Sequence, residues 1–191
     1  MSTRVFLLAI TLLARTALVR AATDDLDPQC PAPTLPGFES NVFQYNVPAE
    51  QFFNKTPSFF HTEWYTGPVN STHGKDDTIG STRSVIFGGA FYTERLVAFS
   101  RSPSEIMYRV VLDTPTFFTN ITFTSYTDEL RIMSICGGSA TYVSMTVTYC
   151  TDHLLRAYDG YDRYRRATVR ALADELKAFV FTESCPNGSS Q

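Results

Sequence analysis

The stretch that decides the fold is ATYVSMTVTYC at residues 140–150, followed by YDRYRRATVRALADELKAF at residues 161–179. Every second residue from Val143 to Tyr149 is apolar and the residues between them carry hydroxyls, which predicts a strand with one buried face. Apolar residues then recur at helical spacing, which predicts an amphipathic helix over about 160–180. A strand followed by a long amphipathic helix indicates a helix packed on one face of a sheet.

The segments upstream predict an antiparallel meander. Alternation indicates strands over 82–87, 90–100 and 105–113, and a fourth strand from about 119 to 136 with a bulge at 127–129. The pair Gly137-Gly138 turns this fourth strand into the last one.

Residues 41–66 precede this meander and predict one strand and two helices. The strand covers 41–47, and two short helices over 50–66 are separated by Pro57. A polar loop then covers 66–78. The expected fold class is α+β, with a curved antiparallel sheet of six to seven strands around the C-terminal helix.

Composition and targeting signals indicate a secreted protein. The formal net charge is −3 and no basic run occurs, so nucleic acid is not an expected partner. A basic start, an apolar run over 6–14 and a small-residue site at 19–21 predict a signal peptide over 1–21. No later apolar stretch is long enough to cross a bilayer, so no membrane span is expected. We divide the remainder into a Pro-rich segment at 22–40, one domain at 41–182 and a tail at 183–191.

Four cysteines and four N-glycosylation sequons agree with export to the secretory pathway or the cell exterior. We expect a disulfide between Cys30 and Cys185, because both lie in Pro-flanked terminal segments that a bridge would tie to the domain. Cys136 and Cys150 are either buried thiols or a second disulfide. The sequons begin at Asn54, Asn70, Asn120 and Asn187.

A strand pair in this meander resembles a known superfamily. The residues Gly80-Ser81-Thr82-Arg83 and Tyr92-Thr93-Glu94-Arg95-Leu96 are similar to a strand motif of the polyketide-cyclase/START-like (SRPBCC, helix-grip) superfamily. The resemblance covers about residues 42–180, and the export signal and sequons suggest a secreted, fungal member. It implies the helix-grip fold, with a ligand cavity between the sheet and the long helix. It also implies that Glu94 lines that cavity, as the matching position does in abscisic-acid receptors.

Strand parity indicates which side chains face the cavity. The alternation that buries Val85 and Leu96 also turns a few polar side chains toward the cavity. A buried carboxylate such as Glu94 is suited to general acid/base catalysis. A structural ion pair between Glu94 and Arg83 is the alternative, and Tyr149 is better suited to the core than to the site. Candidate catalytic residues are Glu94, Tyr92, Arg83 and Tyr108. Candidate substrate-binding residues are Trp64, His61, Phe87, Val110, Tyr149, Arg165 and Thr168.

Three functions remain open at this point. The first is a cofactor-independent enzyme that binds a hydrophobic, polyketide-like intermediate and catalyses cyclisation, dehydration or isomerisation. The second is a secreted carrier of a lipid, sterol or phenolic ligand, and a secreted interaction protein is a further alternative. We expect no cofactor and no metal, since the sequence holds no nucleotide-binding or HExxH motif and its histidines are scattered.

Overall fold

The computed structural model describes residues 29–87, 90–118, 120–182 and 184–185. The predicted signal peptide, the Gly88-Gly89 turn and the Asn187 sequon lie outside these residues, as does the side chain of Phe87. The described elements are β1 (Leu35–Tyr45), α1 (Ala49–Lys55), β2 (Val69–His73), β3 (Thr82–Phe87), β4 (Ala90–Ser102), β5 (Glu105–Leu112), β6 (Thr116–Phe118), β7 (Ile121–Ile135), a 3-10 turn (Cys136–Gly138), β8 (Ala140–Thr151) and α2 (Leu154–Glu175).

The strands form one curved antiparallel sheet with the order β1-β8-β7-β5-β4-β3-β2, and β6 pairs with β7. The long helix α2 packs against β1 and β8 across the concave face, while α1 packs against β7 and β8. The core lies between the sheet and these two helices, and it includes Leu96, Ile132, Val147 and Val169. Neither helix of the described chain is long and apolar enough to cross a membrane.

The predicted strand parity is confirmed. Val143, Met145, Val147 and Tyr149 are all buried on β8, and their hydroxyl neighbours between Ser144 and Thr148 are only partly buried. On β4 the buried set includes Tyr92, Glu94 and Leu96. The alternation of the sequence therefore identified the concave face of the sheet.

The first strand begins at Leu35 rather than at residue 41, because β1 is an edge strand that accommodates a proline. Gly37 lies so close to the Tyr149 ring that a Cβ at this position would stand 2.2 Å from Tyr149 Cε2. Pro36 and Gly37 interrupt the alternation from which the strand was predicted. The long helix also differs from the prediction, since it begins at Leu154 and ends at Glu175.

Three further expectations between β1 and β8 were wrong. Only one helix follows β1, because the segment after Pro57 forms turns in which the Thr62 carbonyl accepts hydrogen bonds from the amides of residues 65, 66 and 67. The polar loop contains strand β2, whose side chains are mostly exposed and therefore show no hydrophobic alternation. The irregularity in β7 lies between Phe123 and Ser125 rather than at 127–129.

The cysteines pair differently from the prediction. Cys30 bonds to Cys150 and Cys136 bonds to Cys185, so the expected bridge between Cys30 and Cys185 was wrong. Each terminal segment is tied to the sheet and not to the other terminus. Cys150 lies beside β1, where the chain enters the domain, and Cys136 lies at the turn between β7 and β8. No cysteine of the described chain is free.

Candidate functional site in a tyrosine-lined cavity

The main cavity lies between the sheet and the first half of α2, and we call it the large cavity. Its volume is about 150 Å³ and its wall is mostly apolar and aromatic. Buried aromatic rings supply much of the contact area in such a site, and a few polar groups orient the ligand. The lining residues are Tyr65, Thr66, Tyr92, Glu94, Thr116, Ile121, Phe123, Tyr126, Asp128, Arg156, Ala157, Gly160, Tyr161 and Tyr164.

A second space, the small cavity, lies on the α1 side of the large one and measures about 40 Å³. Tyr65, Glu94 and Asp128 line both cavities and therefore stand between them. Two carboxylates at the centre of an apolar interior are costly to bury unless they are paired. The other residues that line the small cavity are Ser58, Phe59, His61, Thr62, Trp64, Arg83, Tyr108, Val110, Leu130 and Met145.

Glu94 is held by Arg83 and Tyr126. Arg83 Nε and Nη2 lie 2.8 and 2.7 Å from Glu94 Oε2, and the Tyr126 hydroxyl donates a 2.7 Å hydrogen bond to Oε1. Arg83 also donates to the Phe59 carbonyl, and its guanidinium lies 4.4 Å from the centroid of the Phe59 ring. Because β3 and β4 place Arg83 and Glu94 directly opposite each other, sheet register produces this pair. Both carboxylate oxygens are thus engaged by protein donors.

Asp128 forms the second buried ion pair. Its Oδ2 atom lies 2.8 Å from Arg165 Nη2, and Arg165 has no exposed surface. Glu39 lies on the other side of Arg165, with Oε1 3.9 Å from Nη1, and neither of its carboxylate oxygens accepts a hydrogen bond within the described chain. Arg165 also donates a 3.4 Å hydrogen bond to the Met145 carbonyl. One guanidinium therefore faces two carboxylates.

Burial affects the two carboxyls that share Arg165. Loss of solvation raises the pKa of Glu39 to about 7, and the Arg165 charge acts in the opposite direction. Burial likewise raises the pKa of Asp128, again against the effect of Arg165. Asp128 lines the cavities, so a carboxyl with a raised pKa stands within reach of a bound molecule.

The tyrosines of the large cavity are neutral hydrogen-bonding groups. Burial raises the pKa of Tyr65, Tyr92 and Tyr161 above the ordinary tyrosine value. Tyr65 packs against Tyr164 with ring centroids 5.4 Å apart, and Tyr161 stacks on Tyr149 at 5.6 Å. These rings come from the turn after α1, from β4 and from α2, so three separate parts of the chain converge on one site.

The structure places the predicted residues in three groups. Glu94 lines both cavities and Tyr92 the large one, whereas Arg83, Tyr108, Trp64, His61 and Val110 line the small one. Tyr149 and Thr168 are buried in the core away from both cavities. Arg165 is buried behind Asp128 and lines neither cavity.

Asp128 is the buried charged residue of the cavity wall that sequence reasoning missed. After the irregularity at Phe123–Ser125, the inward side chains of β7 are Tyr126, Asp128, Leu130 and Ile132. Apolar residues on both sides of Asp128 at two-residue spacing were the available signal. Because 127–129 was interpreted as a bulge, this alternation was not followed through the acidic residue. No group of three or more potential metal ligands occurs in the described part of the chain.

Comparison with solved structures identifies proteins of similar fold. A protein from Nitrosospira multiformis matches with a TM-score of 0.54 and 18% identity, over 74% of this chain and 95% of that one. The structure of Ara h 8.0201 matches with a TM-score of 0.54 and 11% identity, over 74% and 98%. Norcoclaurine synthase from Thalictrum flavum, in complex with dopamine and hydroxybenzaldehyde, matches with a TM-score of 0.50 and 10% identity, over 75% and 87%.

No protein-family model and no curated protein sequence matches the chain. The structural neighbours include a synthase and an Ara h 8 protein, and a shared fold does not by itself determine function. The likeness lies in the fold: an antiparallel sheet curved around a long C-terminal helix, with a helical segment after the first strand. The chain has the Bet v 1-like helix-grip fold.

Proposed function

We propose that this protein binds a compact hydrophobic small molecule in the large cavity. The observation that carries this proposal is a cavity of about 150 Å³ whose mostly apolar, tyrosine-rich wall contains two buried carboxylates. A concave apolar site with a few convergent polar groups is the usual form of a small-molecule site. The cavity lies where the curved sheet leaves space beneath α2.

The volume limits the size of the ligand. An engineered apolar protein cavity of about 150 Å³ binds benzene, so a molecule built on one ring is the appropriate scale. A polyketide of several fused rings would require the two cavities to merge and α2 to move away from the sheet. We therefore narrow the predicted ligand from a polyketide-like intermediate to a single-ring compound.

A catalytic role is the second candidate, and it is favoured by the position of Asp128 in the wall of both cavities, where burial raises the pKa of its carboxyl. A carboxyl of this kind can remove a proton from a carbon beside a carbonyl and return it to another atom, which isomerises the substrate without a cofactor. Arg83 and Tyr126 occupy both oxygens of Glu94. Glu94 is thus better suited to hold Tyr126 and Arg83 in place than to transfer a proton itself.

We also propose that the protein is exported from the cytosol. Two disulfides are compatible with an oxidising compartment, and the asparagines of three sequons, Asn54, Asn70 and Asn120, are exposed. We infer that the mature protein encounters its ligand in the secretory lumen or outside the cell. Asn120 has a φ of 67° and lies between β6 and β7 at an exposed position that a glycan can reach.

The binding function is tested at the mouth of the cavity. Gly160 lies on the exposed side of α2 and lines the large cavity, and no heavy atom would lie within 4 Å of a Cβ added there. Gly160→Leu should narrow the entrance without a steric clash, whereas Gly160→Ala adds one methyl group and serves as the matched control. Both substitutions should raise helix stability slightly, since glycine costs up to about 1 kcal/mol in a helix interior.

The measurement is native mass spectrometry of protein secreted from a eukaryotic host, followed by solvent extraction and identification of bound compounds. We expect a small molecule bound to the wild type and to Gly160→Ala, and much less bound to Gly160→Leu. Equal occupancy in all three proteins would contradict binding in the large cavity. An extracted compound that the wild type converts on re-addition would support the catalytic candidate, and one recovered unchanged would support a carrier.

A further inference from the structure

The buried groups around the cavity have unequal numbers of acids and bases. In the described part of the chain, three buried carboxylates, those of Glu39, Glu94 and Asp128, lie between the sheet and α2, and the cations paired with them are Arg83 and Arg165. Arg83 and Glu94 form a pair of zero net charge. Arg165 remains to balance both Asp128 and Glu39, so the cluster lacks one positive charge when every member is ionised.

The charged residues near this cluster do not supply the missing positive charge. Asp162 and Arg166 pair with each other through a 2.7 Å contact, Asp162 also accepts a hydrogen bond from Asn41, and Arg156 is exposed where it lines the large cavity. Burial of an unbalanced charge is unfavourable, and the raised pKa values of Glu39 and Asp128 reflect this cost. The imbalance is thus a property of the buried cluster and is not cancelled by its surroundings.

Asp128 presents one side of its carboxylate to the cavity. Its Oδ2 atom is the oxygen that pairs with Arg165. Asp128 is nine-tenths buried, and 12% of its side-chain surface is exposed. It lines both the large and the small cavity. An oxygen in this position is a ready acceptor for a hydrogen-bond donor on a bound molecule.

Apart from Arg156, which is exposed to solvent, the rest of the wall is suited to a positive charge. Aromatic rings surround the large cavity, and the faces of such rings attract cations, which is how aromatic cages bind ammonium groups. An anionic ligand would instead meet two carboxylates at the centre of the site. The rings concerned are those of Tyr65, Tyr92, Phe123, Tyr126, Tyr161 and Tyr164.

We propose that the ligand of the large cavity is a small organic ammonium compound, with its positive group against Asp128 and its single-ring body among the tyrosines. This inference rests on the proposed binding function and specifies its ligand class. Above about pH 7, where Glu39 is ionised, the bound cation supplies the positive charge that the cluster of Glu39, Asp128 and Arg165 lacks. The charge of Arg165 repels the bound cation only weakly, because the Glu39 carboxylate, with Oε1 3.9 Å from Arg165 Nη1, offsets that charge.

Three probes of nearly equal size test the charge preference in the wild-type protein: benzylamine, benzyl alcohol and benzoate, at a pH near 7.5. Binding is measured by isothermal calorimetry or by ligand-observed NMR. We expect benzylamine to bind about tenfold more tightly than benzyl alcohol, which corresponds to one favourable charged contact. We expect no measurable binding of benzoate.

The variant Asp128→Asn provides the second arm of the test. It should reduce the affinity for benzylamine about tenfold and leave that for benzyl alcohol unchanged, because only the charge is removed. Gly160→Leu should weaken both probes. The wild-type comparison stands by itself if Asp128→Asn fails to fold.

The outcomes separate the two proposals. If benzyl alcohol or benzoate binds as tightly as benzylamine, and Gly160→Leu weakens that binding, the preference for a cation is overturned and the proposed binding function remains. If no probe binds, or if Gly160→Leu changes none of the affinities, the ammonium ligand and binding of single-ring molecules in the large cavity are both overturned.

Discussion

Asp128 Oδ2 on β7 lies 2.8 Å from Arg165 Nη2 on α2, so an ion pair crosses the interior between the sheet and the long helix. Arg165 is fully buried, and its other charged neighbour is the carboxylate of Glu39 on β1. Three elements that are distant in sequence are thus linked through one guanidinium. The same guanidinium lies 5.0 Å from the centroid of the Tyr161 ring, next to the cavity.

Replacing this guanidinium should be strongly destabilising. Arg165→Met preserves much of the apolar side chain but leaves Asp128 and Glu39 without a counter-charge, and loss of one partner of a buried pair costs about 3–5 kcal/mol. Urea unfolding followed by circular dichroism measures the change in the free energy of unfolding. Arg163→Met is the control, because its pair with Asp159 on the same helix is largely exposed and should be worth under about 1 kcal/mol. Similar losses in the two variants would argue against a buried charge link.

Glu39 should make the protein less stable as the pH rises. Its pKa is about 7 in the folded protein against an ordinary value of 4.5, so between these values the folded state binds more protons than the unfolded state. The free energy of unfolding contributed by this group is therefore highest below pH 4.5 and falls by up to about 1.4 kcal/mol per pH unit until pH 7.

The neutral variant Glu39→Gln should remove much of this slope and be more stable than the wild type at pH 8. Denaturant midpoints at pH 5, 6, 7 and 8 measure both effects. A control is Glu63→Gln, at an exposed site, which should reproduce the wild-type slope. If the slope of Glu39→Gln matched that of the wild type, titration of Glu39 would not be its source.

Glu94 and Arg83 should be strongly coupled. Their side chains are 4% and 11% exposed, so Glu94→Gln leaves a mostly buried guanidinium without its counter-charge and should cost about 3 kcal/mol or more. In a double-mutant cycle with Arg83→Met, the second substitution should cost much less in the Glu94→Gln background than in the wild type. Additive losses from denaturant unfolding would contradict a mutual ion pair.

Most of the fold could be predicted from the sequence, because strand alternation and helical spacing report directly which face is buried. The parity of β4, β5 and β8 and the presence of the long helix follow from local pattern alone. The segment 57–66 was wrongly predicted to form a second helix, because its aromatic residues lie in turns that are held by polar hydrogen bonds. Exposed β2 is defined by its pairing with β3 and not by its own pattern.

Only part of the candidate site could be predicted from the sequence. Arg83, Tyr92, Glu94 and Tyr108 follow from strand parity, and the structure brings all four to the two cavities. Asp128 was missed because an acidic residue within an alternating strand was interpreted as an interruption. The pairing of Arg165 with Asp128 depends on the packing of α2 across the sheet, which no local pattern contains.

Gly37 on β1 should tolerate a side chain only when the ring of Tyr149 is absent. A Cβ at Gly37 would lie 2.2 Å from Tyr149 Cε2, and that ring is held by edge contact with Phe123 and by stacking on Tyr161. Gly37→Ala should therefore force the ring or the edge strand to move, at a cost of about 1–3 kcal/mol.

Tyr149→Leu should lose stability by itself, because it removes a fully buried ring. In that background, however, the further change Gly37→Ala should cost less than about 0.5 kcal/mol, since the clashing atoms are gone. The measurement is thermal and urea unfolding of the two single variants and the double variant. An equal cost of Gly37→Ala in both backgrounds would mean that backbone conformation, rather than the ring of Tyr149, requires glycine at this position.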